Sequence, residues 1–370
     1  MTDRTRVTAV GEQTSLADRK RRAGQRMVVG LAGHAVDDDL RALVREIKPA
    51  GFILFARNVA EPEQVRELNR ELASLVDPHH PALLSVDQEG GRVQRIREPA
   101  TRWPAMRAVG EAGSLTAEVS RAMALELRYM GFNLNFAPCA DVDSNPDNPV
   151  IGDRSFGRDP AEVARHVVAH LEAHQEAGII ACVKHFPGHG DTSVDSHLDL
   201  PVVDKDLPAL LDCELRPFAA AVAAGVGSVM TAHVVFPALD EERPATLSSR
   251  VTRALLRERL DFGGVVFSDD MDMKAVAGRW PVPEQVRLAT EASVDVFLCC
   301  NDVQTQYATF QALVHDQERS SAADRAAIDS VGRVRALRER FFRRLPPVDA
   351  ELVGGVEHGV LAARAGGRLA

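Results

Sequence analysis

Eight short apolar runs, each separated from the next by a helical pattern, constrain the fold of this chain more than any other feature. Their near-continuous hydrophobicity is typical of strands that are buried on both faces, as in a parallel sheet. The runs span residues 27–33, 51–56, 82–88, 132–142, 179–186, 228–236, 264–270 and 295–301. Strands that alternate with helices predict βα units, and eight such units predict a closed (β/α)8 barrel of class α/β.

Helix signals between the runs support this fold. Val65, Leu68 and Leu72 lie on one helical stripe, and Pro62 suits the first turn of that helix. Asp159 is placed to cap the helix that precedes the fifth run. The alternative is an open doubly wound sheet, which would favour a GxGxxG fingerprint after an early strand. No such fingerprint follows the first run.

One domain accounts for the chain. Residues 1–25 are polar and aperiodic, which predicts a loosely attached N-terminal tail or arm. The barrel is expected over residues 26–345 and a C-terminal extension over 346–370, whose Gly- and Ala-rich end after residue 350 is expected to be loose.

Charge and composition limit the partners. The chain has 44 basic and 53 acidic residues, a net charge of −9, so it has no general attraction for nucleic acid or anionic lipid. No apolar run approaches the roughly 18 residues of a membrane span. The five cysteines form no CxxC pair, and the N-terminus lacks the apolar core of a signal peptide. We therefore expect a cytoplasmic protein. Its oligomeric state stays open.

The carboxyl ends of the runs are polar. In a (β/α)8 barrel these ends and the loops after them meet at one face, where catalytic groups lie. The polar residues at these ends are Asp87, Gln88, Glu89, Asp141, Asp143, Lys184, His185, His233, Asp269, Asp270 and Asn301. Their convergence predicts an active site but does not identify the reaction.

The densest polar segment is KHFPGHGDTSVDSH, residues 184–197. His185 and His189 could bind zinc, with Asp191 or His197 completing the set. Pro187 and the glycines of the segment oppose a helix that would align the two histidines, so a metal site is not the favoured interpretation.

Two further roles are open for this segment. Lys184 could form a Schiff base at the strand end. The favoured role is acid–base catalysis by a loop histidine. His197 has Asp195 two residues before it, and that carboxylate could fix the imidazole tautomer and stabilise its protonated form.

Two neighbouring carboxylates follow the seventh run, at Asp269 and Asp270. A carboxylate directly after a buried strand is well placed to act as a fixed nucleophile. Because side chains alternate along a strand, only one of the two is expected to face the barrel mouth. Periodicity does not choose between them.

Two basic loops complete the candidate site. Residues 87–95 combine Asp87, a glycine pair and the arginines Arg92 and Arg95, and residues 151–157 add Arg154. Carboxylates accept hydrogen bonds from paired hydroxyls and arginines donate them in a rigid fork, so these loops predict a cradle for a polar ligand.

Three histidines recur at helical spacing before the fifth run, at His166, His170 and His174. They share one face of a predicted helix and could bind a metal. We expect that face to be solvated instead.

Four segments together resemble glycoside hydrolase family 3, and in particular its single-domain bacterial β-N-acetylhexosaminidases. They are SVDQEGGRVQR, NPVIGDRSFG, KHFPGHGDTSVDSH and VVFSDDM, and the likeness extends over roughly residues 27–301. The resemblance implies a retaining exo-β-N-acetylglucosaminidase on a (β/α)8 barrel, without cofactor or metal. It also implies a substrate among peptidoglycan turnover fragments, such as N-acetylglucosamine linked to 1,6-anhydro-N-acetylmuramic acid.

The resemblance also implies roles for single residues. Asp269 matches the family nucleophile, and His197, paired with Asp195, matches the acid–base group. The positions that match sugar-binding residues of the family are Asp87, Arg95, Arg154, Lys184 and His185. A β-glucosidase or an N-acetylglucosaminide phosphorylase of the same family, a zinc hydrolase and a non-catalytic sugar-binding barrel stay open as alternatives.

Overall fold

A computed structural model describes residues 14–193 and 200–368. Eight parallel strands close into one barrel, in which each strand lies beside the next along the chain and the eighth pairs with the first. The strands are β1 (Met27–Gly30), β2 (Gly51–Leu54), β3 (Leu83–Val86), β4 (Leu134–Asn135), β5 (Ile180–Phe186), β6 (Ser228–Thr231), β7 (Val265–Asp270) and β8 (Val296–Cys299). Each lies within one of the eight apolar runs. The predicted (β/α)8 barrel is confirmed, and the open doubly wound sheet is excluded.

Helices connect the strands and surround the barrel. They are α1 (Leu16–Gly24), α2 (Asp38–Ile47), α3 (Pro62–Ser74), α4 (Met106–Glu111), α5 (Thr116–Tyr129), α6 (Pro160–Glu176), α7 (Leu207–Asp212), α8 (Leu215–Ala223), α9 (Lys274–Ala277), α10 (Val282–Glu291), α11 (Val303–Arg319), α12 (Ser321–Phe341) and α13 (Val356–Ala365). A π-helix spans Ser249–Arg259, and the short hairpin Gln88–Gly90 with Val93–Gln94 follows β3. No helix in the two described ranges is both long and apolar enough to cross a membrane.

The inside of the barrel is packed with side chains and closed at one end. Inside the barrel, the rings of Phe136 and Phe267 meet edge to face, with centroids 5.4 Å apart. Leu337 and Phe341 of α12 join the same apolar cluster and lie against Gly227, directly before β6. Helix α12 therefore covers the amino-terminal end of the barrel and leaves the carboxyl end for the site.

Both terminal segments pack on the barrel in their described parts, unlike the loose arm and loose end expected from their composition. Helix α1 packs on α11 and α12, and the Arg22 guanidinium lies 2.6 Å from Asp324. Helix α13 packs on α5, and His358 Nδ1 lies 2.8 Å from Glu126 Oε1. Polar contacts contribute to both attachments, and hydrophobic periodicity does not reveal such contacts.

The prediction of a solvated histidine face on α6 is wrong. His166, His170 and His174 are buried because α5 packs on this part of α6. The Thr116 hydroxyl lies 2.7 Å from His166 Nδ1, and the Ser120 hydroxyl lies 2.9 Å from His170 Nδ1. Burial lowers the pKa of all three imidazoles, which favours their neutral form at neutral pH. His166 and His170 contribute hydrogen bonds between the two helices, whereas His174 Nε2 lies 3.1 Å from the Asn135 amide of β4.

Candidate active site

A cavity of about 380 Å³ opens at the carboxyl ends of the barrel strands. This volume lies within the range of about 300–1,000 Å³ that is typical of small-molecule sites. Its polar lining comprises Asp87, Glu89, Arg95, Arg154, Lys184, His185, His189, Asp269, Asp270, Asp272, Lys274 and Asn301. All five predicted sugar-binding residues and the predicted nucleophile therefore lie around one cavity.

Other members of the predicted polar ring lie behind the cavity wall. Asp143 Oδ2 lies 2.8 Å from Arg107 Nη2 and 3.1 Å from Arg158 Nε, an arrangement that joins neighbouring loops. His233 is buried, with Nδ1 2.8 Å from the Thr246 hydroxyl. These contacts shape the wall around the cavity.

An ionic cluster occupies one side of the cavity. Lys184 Nζ lies 2.6 Å from Asp87 Oδ1 and 2.7 Å from Glu89 Oε1. Arg154 donates to both oxygens of Glu89, at 2.8 and 2.9 Å. Burial opposes the charge of Lys184, but Asp87 and Glu89 outweigh burial and raise the pKa of its amine. Since a Schiff base requires a neutral amine, this environment disfavours that role for Lys184.

Glu89 is a central member of the site that the sequence did not single out as a binding residue. It is fully buried, and burial alone would favour its neutral form. Arg154 and Lys184 outweigh burial and hold the pKa of Glu89 well below its usual range. Its position two residues after Asp87 was the available signal, but only the fold shows that both cations share it.

The hairpin after β3 brings Glu89 and Arg95 to the cavity. Arg95 Nη2 lies 3.5 Å from Asp87 Oδ2, and its guanidinium lies 5.6 Å from the centroid of the Phe55 ring. The turn passes through Gly91 at a φ of +56°, where an added Cβ would lie only 2.9 Å from the Cα atom of Ala105. A glycine is therefore required where the predicted cradle bends.

His185 is held in one orientation by two neighbours. Its Nδ1 lies 2.7 Å from Asp141 Oδ2, and its Nε2 lies 3.3 Å from Arg154 Nη2. A guanidinium can only donate, so Nε2 accepts that bond and Nδ1 carries the hydrogen that points at Asp141. The other oxygen of Asp141 accepts from the His189 backbone N–H at 2.7 Å. Asp141 thus positions the segment that follows β5.

In the zinc alternative, His185 and His189 would bind the metal ion together with Asp269 or another ligand. The donor atoms that lie within 4.8 Å of one another in the described residues instead belong to Cys139, Asp141 and His185. Cys139 Sγ donates to Asp141 at 3.1 Å, and burial together with Asp141 raises the pKa of the thiol well above its usual value. Metal binding at this group would therefore have to displace the thiol proton against that raised pKa.

Asp269 and Asp270 both contribute to the lining of the cavity, and the Asp270 carboxylate accepts from the Cys300 N–H at 3.2 Å and from the Asn301 amide at 3.1 Å. The pairing of β7 with β8 shifts register between Phe267 and Asp270. Such an irregularity breaks the strict alternation of side chains and redirects one of them. The sequence pattern could not show this shift.

The two carboxyl groups have opposite electrostatic environments. Burial opposes ionisation of Asp269, but His233, a backbone N–H at 2.8 Å and Lys184 hold its pKa below the usual value. Burial and the nearby Asp272 raise the pKa of Asp270 to about 7. Asp269 is therefore ionised at neutral pH, whereas Asp270 is partly protonated. Carboxyls separated in this way are suited to different roles.

Asp195 and His197, the predicted acid–base pair, lie outside the described residues. The chain before them is held firmly: the Thr192 hydroxyl lies 2.8 Å from His189 Nδ1 and accepts from the Asn148 amide at 3.1 Å. After them, the Val203 N–H donates to the Val235 carbonyl at 2.9 Å.

The family model described as the glycosyl hydrolase family 3 N terminal domain matches residues 20–337. The chain belongs to glycoside hydrolase family 3. Among its family 3 relatives, a β-hexosaminidase of Thiobacillus denitrificans is 39% identical over 283 residues, which cover 74% of this chain and 78% of that protein. The resemblance predicted from the four motifs is confirmed, and with it the expectation of a glycoside hydrolase.

Solved structures of family 3 enzymes share the fold. A β-N-acetylglucosaminidase from Paenibacillus sp. superimposes with a TM-score of 0.87 at 40% identity, over 94% of this chain and 68% of that one. NagZ from Neisseria gonorrhoeae, in complex with N-trifluoroacetyl-D-glucosamine, gives a TM-score of 0.69 at 32% identity, over 84% of this chain and 98% of that one.

Proposed function

We propose that this family 3 member is a retaining exo-β-N-acetylglucosaminidase. It would remove terminal N-acetylglucosamine from cytoplasmic peptidoglycan turnover fragments of the GlcNAc–1,6-anhydroMurNAc type. The observation that carries the proposal is Asp269, an ionised carboxylate that faces a sugar-sized cavity opposite a cluster of fixed charges. The relatives named β-hexosaminidase and the NagZ complex support the sugar. Five free cysteines agree with a reducing compartment.

In the first step, a carboxylate oxygen of Asp269 would attack the anomeric carbon. A bond forms between that oxygen and the sugar while the glycosidic C–O bond breaks, and the electron pair of the broken bond goes to the leaving oxygen. His197 would donate a proton to that oxygen, and Asp195 would stabilise the imidazolium beforehand. The result is a covalent glycosyl-enzyme and a free aglycone.

In the second step, neutral His197 would take a proton from water as the water attacks the anomeric carbon. The bond to Asp269 breaks, its electron pair returns to the carboxylate, and N-acetylglucosamine leaves with retained configuration. A histidine with an unperturbed pKa near 6.5 can serve as acid and then as base near neutral pH.

The ionic cluster would bind the sugar hydroxyls. Asp87 Oδ1 already accepts from Lys184, and Oδ2 lies 3.5 Å from Arg95 Nη2, so this carboxylate is oriented as an acceptor. Arg154, whose Nε and Nη2 are fixed by Glu89, adds a second guanidinium group to the cavity lining. Prearranged donors and acceptors favour a ligand rich in hydroxyl groups.

Hydrolysis of aryl β-glycosides tests the proposed activity. We expect release of the aryl alcohol from the N-acetyl-β-glucosaminide, little from the matched β-glucoside, and no loss after treatment with a chelator. Abolition by the chelator would instead support the zinc alternative. Preferred cleavage of the glucoside would indicate a β-glucosidase, and formation of a sugar phosphate in phosphate buffer would indicate a phosphorylase. Binding of N-acetylglucosamine without turnover of either glycoside would indicate a sugar-binding barrel.

Substitution of the proposed partner of His197 tests the acid–base assignment. Asp195→Ala should lower turnover while affinity for N-acetylglucosamine stays nearly unchanged, because the sugar is bound by other residues. Equilibrium titration with the sugar measures the affinity. Lost affinity at unchanged turnover would contradict the assignment.

A further inference from the structure

A half-buried cluster of charges joins the two described ends of the segment between residues 193 and 200. It consists of Ser144, Asp191, Lys205 and Glu214, and we call it the loop-end cluster. Lys205 Nζ lies 2.5 Å from Glu214 Oε1 and 3.0 Å from Asp191 Oδ1. The Ser144 hydroxyl donates to Asp191 Oδ1 at 2.9 Å and lies 3.2 Å from Lys205 Nζ.

Glu214 is the buried anchor of the loop-end cluster. Its side chain is 0% exposed, and Oε2 has no hydrogen-bond partner in the described parts of the chain. Burial opposes the charge of Lys205, but its hydrogen bonds to Glu214 and Asp191 outweigh burial and raise the pKa of its amine. Each charge therefore stabilises the other, and removal of one would leave its partner uncompensated.

The loop-end cluster is coupled to the cavity through the chain that follows β5. An added Cβ at Gly188 would lie 2.7 Å from the Glu214 side chain, so the backbone passes directly over this residue. At Gly190 an added Cβ would lie 1.7 Å from the Val142 carbonyl oxygen. His189 lies between these two close approaches and lines the cavity. Glu214 therefore packs directly against the backbone that leads into the proposed acid–base segment.

We infer that Lys205, Glu214 and Asp191 are positioning residues for proton transfer to the leaving group. Asp191 lies before Asp195 and His197 in the chain and Lys205 lies after them, so one ammonium group ties the two ends of the proposed acid–base segment. The inference rests on the proposed function. The sugar cradle is built from Asp87 and other residues outside this cluster, so a loss in the cluster should leave sugar affinity intact.

Glu214→Gln keeps the shape of the anchor and removes its charge. General acid catalysis contributes about 10²–10⁴-fold, and small misplacements can cost about 10²-fold. We expect kcat/KM to fall about 10–100-fold for aryl N-acetyl-β-glucosaminides with weakly acidic phenols. It should fall less than about threefold for strongly acidic phenols, which leave without a proton. The dissociation constant of N-acetylglucosamine should change less than about twofold.

The test compares kcat/KM across a series of phenols for wild type, Glu214→Gln, His197→Ala and the double variant. We expect a steeper dependence on phenol acidity in both single variants and no further steepening in the double variant. Two results for Glu214→Gln would overturn the positioning role. One is an equal loss of kcat/KM for every phenol, and the other is no loss for any phenol. Failure of the proposed function would give a different result, because kcat/KM of His197→Ala would then depend on phenol acidity as it does in the wild type.

Two further variants separate positioning from folding. Lys205→Arg keeps the positive charge, so its kcat/KM should depend on phenol acidity almost as in the wild type. Lys205→Met removes the charge and should show the same steeper dependence as Glu214→Gln. If Glu214→Gln fails to fold, Asp191→Asn removes the partly exposed member and should show the same steepening. Asp324→Asn is a matched control, because it breaks the Arg22 ion pair between α1 and α12 and should not alter the dependence.

Discussion

Each end of the barrel holds one carboxylate with a distinct environment: Asp295 is buried at the amino-terminal end, and Asp269 is half-buried at the carboxyl end. At the amino-terminal end, Asp295 accepts from Arg257, Arg333 and the Val266 N–H, at 2.5, 2.9 and 2.9 Å. At the carboxyl end, Asp269 accepts only a backbone N–H, at 2.8 Å, within the described residues, and its side chain faces the cavity.

The difference separates a structural carboxylate from a reactive one. Both oxygens of Asp295 accept hydrogen bonds, from two guanidinium groups and from one backbone N–H. Its charge is therefore compensated within the fold, and it connects the π-helix, α12 and β7. His233 and Lys184 favour the ionised form of Asp269, yet its oxygens form no ion pair with any residue that the structure describes. A carboxylate that is charged but incompletely hydrogen-bonded remains available to attack an electrophile.

Removal of the reactive carboxylate should give the largest effect. Asp269→Ala should lower kcat by at least about 10³-fold with the fold retained, because no other group can form the glycosyl-enzyme. Hydrolysis of an aryl N-acetyl-β-glucosaminide measures turnover, and circular dichroism checks the fold. Asp270→Ala is the matched control and should leave an active enzyme. The reverse pattern would show that Asp270 is the nucleophile.

Removal of the structural carboxylate should damage stability instead of chemistry. Asp295→Ala leaves Arg257 and Arg333 without a counter-charge, and loss of one partner of a buried ion pair costs about 3–5 kcal/mol. Urea unfolding at neutral pH measures the free energy of unfolding. The folded fraction should keep the kcat of the wild type. If Asp295→Ala were as stable as the wild type but had lost turnover, the distinction between a structural and a reactive carboxylate would be wrong.

The raised pKa of Asp270 predicts a smaller, pH-dependent effect. The unfolded carboxyl ionises near 3.8 and the folded one near 7, so the wild type loses stability as the pH rises from about 4 to 7. Asp270→Asn does not ionise. Its stability relative to the wild type should rise across that window by as much as about 4 kcal/mol and then level off. Urea unfolding at pH 5, 6, 7 and 8 measures the difference, and a constant difference would refute the assigned pKa.

The barrel was predictable because each of its strands is an apolar run that is buried on both faces. Runs such as 179–186 remain visible without knowledge of their neighbours, and helix signals such as Pro62 at the start of α3 are local. The candidate site was predictable as a set for a similar reason. Polar residues that end such runs must meet at one face of a closed barrel.

What the sequence could not show depends on contacts between distant segments. The buried histidine face of α6 requires hydroxyl partners from α5. The burial of the charged Glu89 requires Arg154 from the segment after β4 and Lys184 from strand β5. The register shift of β7 against β8 between Phe267 and Asp270 likewise depends on the pairing of two distant segments. None of these has a periodic signal along the chain.

Trapping of the glycosyl-enzyme tests the central claim most directly. The enzyme would be incubated with a fluorinated N-acetylglucosaminyl fluoride, whose ring fluorine slows the second step, and analysed by intact-protein mass spectrometry and peptide mapping. The account predicts one added sugar residue per chain, attached to Asp269, and none in Asp269→Ala. A label on Asp270, or turnover of an aryl N-acetyl-β-glucosaminide with inversion at the anomeric carbon, would contradict it.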